Sequence, residues 1–132
     1  MKLTERELTV ALEGAAKSVL AAQDKDVRKG RRTADEAWLA LTKYQRYVML
    51  DGLGEQLLGP LVALPDQEVP IGERPTFTDV EVEAAVRERA GDEANGLKGK
   101  VVVKARVALV QLALSHIPPR QDPDALIVPD HL

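Results

Sequence analysis

The chain contains no cysteine. Disulfides, thiolate metal sites and thiol nucleophiles are therefore excluded, and a reducing, cytoplasmic setting is expected. Serine is nearly as scarce. Ser18 and Ser115 both fall in expected helices, and no Gly-x-Ser-x-Gly elbow surrounds either. Ser115 and His116 adjoin, but neighbouring helical side chains diverge by about 100°, so they form no dyad on their own. The two histidines, His116 and His131, lie on either side of Pro118-Pro119, without the HxxxH or HExxH spacing of a metal site. No cofactor or metal is expected.

Aromatics are few: Trp38, Tyr44, Tyr47 and Phe77. The core must be aliphatic, and little is available to stack on single-stranded bases. No run of 18 apolar residues occurs, so no membrane span is expected. Glu5, Arg6, Glu7 and Glu13 interrupt the N-terminal apolar pattern, which argues against a signal peptide. The net charge of −3 gives no general attraction to nucleic acid or anionic lipid.

What is present points to one all-α domain spanning residues 1–132, with an ordered body over about 3–117. Its length suffices to bury a core without disulfides or metals. The expectation is a compact bundle of four main helices, with an extended strap between the second and third and an extended tail over 118–132. Three threonines mark helix starts. Thr4…Glu7, Thr33…Glu36 and Thr78…Glu81 each have the spacing of a capping box, in which hydroxyl and carboxylate satisfy free amides reciprocally.

The first helix is predicted over 5–23, with Leu8, Leu12, Ala15, Val19 and Ala22 as its apolar stripe. Its opening letters, LTEREL, resemble the start of the helix-turn-helix of response regulators. No second recognition helix follows at a short turn, and an ordinary capped helix is the preferred reading. Residues 24–32, DKDVRKGRR, form a charged connector. The second helix starts after Thr33 and runs to about residue 50 or further. Gly52 and Gly54 are candidates for a kink, and Gly59-Pro60 for a firm stop.

Residues 60–76 carry prolines at 60, 65, 70 and 75 and form the strap. A third helix runs from the Thr78 cap to about residue 90. The fourth, residues 100–117, is almost wholly Val, Leu and Ala. Lys100, Lys104, Gln111 and Ser115 fall on one narrow line at helical spacing, so this helix is expected to be central and covered on most sides.

Two surfaces could bind a partner. Basic clusters sit near helix starts: Arg28, Lys29, Arg31 and Arg32 before Thr33, and Lys98 and Lys100 at the entrance of the fourth helix. Cations there oppose the helix dipole, and a bound anion would reverse the penalty. The second cluster is not a phosphate-binding P-loop, because Ala94 and Val101 stand where Gly and Ser/Thr are required. Its Gly96-Leu97-Lys98-Gly99 has the letters of a KH-type clamp, but no accompanying sheet is evident.

In the tail, Leu126, Ile127 and Val128 form an apolar island that could dock on the body or on a partner. Most paired carboxylates fall in first turns, where capping and the helix dipole account for them. The sequence therefore favours a small non-catalytic interaction protein (an adaptor, inhibitor or assembly subunit), with homo-oligomerisation as one outlet for its apolar surface. A nucleic-acid or phosphate-ligand binder using the two basic clusters is the alternative.

Overall fold

The computed structural model describes residues 3–120. Its described residues form six α-helices and one 3-10 turn, with no strand. The helices are α1 (Glu5–Gln23), α2 (Lys25–Arg28), α3 (Ala34–Ala40), α4 (Lys43–Ala63), α5 (Asp79–Ala90) and α6 (Gly96–Leu114), and the 3-10 turn is Gly91–Ala94. Helix α1 packs on α2, α3, α4 and α6, while α4, α5 and α6 pack on one another. Between them lies an aliphatic core that includes Ala11, Ala15, Leu57, Leu61, Val82, Val86, Val103, Val110, Leu114 and Ile117.

All three expected capping boxes are made. In α1 the Thr4 hydroxyl accepts from the Glu7 amide at 3.1 Å, and the Glu7 carboxylate accepts from the Thr4 amide at 2.9 Å. Leu3 and Leu8, flanking that start, both pack on the core. The charged connector holds a short helix of its own: the Asp24 carboxylate accepts from the amides of Asp26 and Val27 and caps α2.

The second expected helix differs in two ways. First, it is broken. Helix α3 ends at Ala40, Leu41 is extended, and Thr42 caps a new helix by a fourth capping box with Gln45. A cap forces its own residue into the extended region, so one continuous helix through 41–42 is ruled out. Thr42→Ala is expected to lower stability by about 1 kcal/mol, measured by urea denaturation.

Second, neither the glycines nor Gly59-Pro60 ends α4, which runs through Pro60 to Ala63. An interior proline costs a helix about 3 kcal/mol. The residues beyond it include Leu61 and Leu64, both buried in the core. Each contributes about 1.5–3 kcal/mol on burial, enough to offset that cost.

The segment between α4 and α5 is held to the end of α6. The Arg74 guanidinium donates to the carbonyls of Leu114, Ser115 and Ile117 at the end of α6, of which the Leu114 carbonyl also accepts from the Ile117 amide. Gly72 and Glu73 exchange backbone hydrogen bonds with Arg120.

Helix α6 is less covered than its composition implies. Gly99, Val103, Val110, Ala113 and Leu114 are buried, and Val107, Leu109 and Leu112 are half-buried. Leu97, Lys100, Val101, Lys104, Ala105 and Ala108 are all exposed. At 3.6 residues per turn these six share one arc of about 140°. The expected narrow polar line is therefore a broad face that includes aliphatic residues. Gln111, on that line, donates to the Phe77 carbonyl at 2.9 Å and to Asp79 at 3.0 Å, tying α6 to the start of α5.

Candidate functional site

The break at Leu41-Thr42 shapes the surface. Helix α3 stays against α1 and carries Trp38 inward, with Leu39 beside it facing solvent. After Thr42 the first turns of α4 project Tyr44, Tyr47 and Val48 outward. Between α1, α3 and α4 lies a groove of about 660 Å³. Trp38, Leu39, Tyr47 and Leu50 supply its apolar lining, and Glu13, Lys17, Asp35, Lys43 and Arg46 its charged margin.

Three of the four aromatic side chains of the chain thus gather at this corner. Leu39, Tyr44 and Tyr47 are 71%, 74% and 64% exposed, although each could have been buried in a core that is short of large side chains. Such clusters of exposed aromatic and aliphatic side chains mark binding surfaces. At one end of the groove Lys17 pairs with Asp35 at 3.2 Å, linking α1 to α3. On the α4 side, Lys43 and Arg46 have no carboxylate at ion-pair distance among the described residues.

The basic residues singled out in the sequence lie on two separate elements. Arg28 and Lys29 are exposed at the end of α2, which packs on α1. Arg31 pairs with Asp26 at 3.5 Å, and Arg32 binds the Asp24 carboxylate. The Arg32 hydrogen bond, with the amides of Val27 and Asp26, holds the Asp24 carboxyl below its usual range. Two of these four cations are therefore already paired, Arg32 with the α2 cap Asp24 and Arg31 with Asp26 inside α2. Lys98 and Lys100 are exposed in the first turns of α6, beside the 3-10 turn. Leu126, Ile127 and Val128 lie outside the described residues.

A second cavity, of about 440 Å³, adjoins the groove along α1 and is lined in part by Gly14, Ser18 and His116. Here the structure makes a pairing the sequence did not suggest: Ser18 Oγ and His116 Nε2 lie 3.0 Å apart. The imidazole occupies the space a side chain at position 14 would take, since a Cβ there would stand 2.2 Å from His116 Cγ. Ser18 lies inside α1, and the His116 amide donates to the Ala113 carbonyl, so neither backbone amide is placed to receive an oxyanion. The evident role of the pair is to seat the end of α6 on α1.

Among the described residues no three His, Cys, Asp or Glu side chains are grouped to hold a metal ion. No helix there is long and apolar enough to cross a membrane. No protein family, curated protein or solved structure matches the chain.

The groove itself was missed in the sequence, where Trp38, Tyr44 and Tyr47 read as parts of one continuous helix. The signal that would have found it is Thr42-Lys43-Tyr44-Gln45, a capping box inside that stretch.

Proposed function

We propose that the protein is a small non-catalytic interaction protein of the cytoplasm, acting as an adaptor, inhibitor or assembly subunit, and that the α3–α4 groove is its contact surface. The observation carrying this reading is the exposure of Leu39, Tyr44 and Tyr47 at one corner, beside an apolar groove lined by Leu39, Tyr47, Leu50 and the inward-facing Trp38. Tyrosine and tryptophan present large, stiff surfaces at small entropic cost and dominate binding energy at protein interfaces. The chemistry present supports the non-catalytic part. Neither backbone amide of the serine–histidine pair is placed to receive an oxyanion, and Glu7, Glu36 and Glu81 at helix starts are engaged in capping boxes.

Affinity capture from the native host tests the reading, with wild type and the double variant Leu39→Asp/Tyr47→Asp compared side by side. Both positions are widely exposed, so the variant is expected to keep its stability within about 0.5 kcal/mol. It should lose at least one protein that wild type retains. Retention of the same set by a folded variant would contradict the assignment.

A further inference from the structure

We propose that the occupant of the α3–α4 groove is an acidic amphipathic helix belonging to a partner protein. This rests on the interaction reading above and adds the chemistry of what is bound.

Three features point to that occupant. The first is charge. The α4 wall carries Lys43 and Arg46, with no carboxylate paired to either among the described residues and no acidic residue in the first turn of α4. The N-terminal end of the α4 dipole adds positive potential on the same side. On the α1 side Lys17 is already matched by Asp35, and Glu13 is the remaining charge. A bound segment therefore meets least repulsion with its carboxylates turned toward α4 and its uncharged polar side toward α1. Charge of this kind steers encounter and excludes wrong partners.

The second is backbone chemistry. The groove walls are helices, and no strand occurs among the described residues. Adding an extended peptide by main-chain pairing needs a sheet edge, which this surface does not provide. A groove between helices takes the side chains of another helix, read at i, i+3, i+4 and i+7. The volume of about 660 Å³ suits the anchoring side chains of one helical face, with the helix itself lying across the mouth.

The third is symmetry. A second copy docking by the same groove about a two-fold axis at the α4 wall would bring Lys43 and Arg46 of each chain toward those of the other. Like charges facing each other across a two-fold axis oppose that arrangement.

The test is a selection. A display library of helical peptides, with hydrophobic anchors at i, i+3, i+4 and i+7 and the remaining positions randomised among Glu, Lys, Gln and Ala, is panned on the full chain. It is counter-selected on Leu39→Asp/Tyr47→Asp. The expected pool is enriched in peptides of net negative charge. Their binding should shift the emission of Trp38, the only tryptophan of the chain. Affinity should fall at least tenfold in Lys43→Glu/Arg46→Glu, and several-fold between low and physiological salt.

A neutral or basic pool that still requires Leu39 and Tyr47 would overturn the acidic helix while leaving the groove as an interaction surface. Absence of any pool dependent on Leu39 and Tyr47 would overturn both. A Trp38 emission that moves with protein concentration alone, accompanied by dimerisation in sedimentation, would assign the groove to a second copy and overturn the proposal.

Discussion

Arg120→Ala is expected to cost about 3 kcal/mol of folding stability, because it strips the partner from a buried carboxylate. Arg120 donates to both oxygens of Glu7, each at 3.1 Å, and the two side chains retain only 9% and 11% of their exposure. Glu7 also closes the capping box of α1, so one carboxylate fixes the start of α1 and anchors the chain leaving α6. Burial pushes the Glu7 carboxyl up. The hydrogen bonds from Arg120 and Thr4 and the guanidinium charge outweigh it, and the group sits below its ordinary value.

A depressed carboxyl contributes stability that is full above its unfolded value, about 4.3 for glutamate. That stability is lost as pH falls through the lower folded value. Arg120→Ala should therefore remove part of the acid limb of the stability curve as well as lower its plateau. Urea denaturation between pH 3 and 7 measures both (an acid limb unchanged in the variant would place the acid sensitivity elsewhere). Glu7→Gln separates the two roles of the residue. It keeps a side-chain acceptor for the cap while removing the charge, so its loss belongs to the ion pair.

The second large effect is a sign reversal between two glycines in helices. Replacing a helical glycine by alanine ordinarily stabilises by about 0.5–1 kcal/mol, because alanine surrenders less backbone entropy. Gly52→Ala in α4 should follow that rule, since a Cβ there meets nothing within 4 Å. Gly99→Ala in α6 should go the other way. Its Cβ would stand 2.2 Å from the carbonyl carbon of Ala94 and 2.8 Å from the Glu93 oxygen, both backbone atoms of the 3-10 turn packed on α6.

Relief requires moving that turn. Overpacking of this kind costs about 1–3 kcal/mol, and the upper end is expected because backbone rather than a side-chain tip must shift. Thermal and urea denaturation of the two variants should move the midpoint in opposite directions. Equal gains would show that the turn is not seated as described.

The helices that the sequence marks clearly are those with a chemical start signal. Thr4, Thr33 and Thr78 were legible because hydroxyl and carboxylate stand three residues apart, and α1 follows with the expected bounds. Helix α4 was not legible as a separate element, because its cap uses Gln45 rather than a carboxylate and lies inside the stretch read as one helix from Thr33 to about residue 50. Pro60 misled for another reason. Its local penalty is real, but Leu61 and Leu64 recover it only through contacts made by distant parts of the chain.

The apolar composition of α6 argued for burial on most sides. Its neighbours cover one side, and Leu97 and Val101 remain 82% and 70% exposed. The candidate site suffered most from these errors. A groove two of whose three walls were read as one helix has no signature in spacing, and the Ser18–His116 pair joins residues 98 positions apart.

The proposed interaction surface at the α3–α4 corner can be read at Trp38. The chain labelled with 5-fluorotryptophan carries a single fluorine, seated in the groove. Its ¹⁹F resonance is recorded before and after addition of the protein captured from the host. The account predicts that the resonance shifts or broadens on binding, and that Leu39→Asp/Tyr47→Asp abolishes the change. A partner that binds the chain and leaves the Trp38 resonance where it was would contradict the groove as the site of contact.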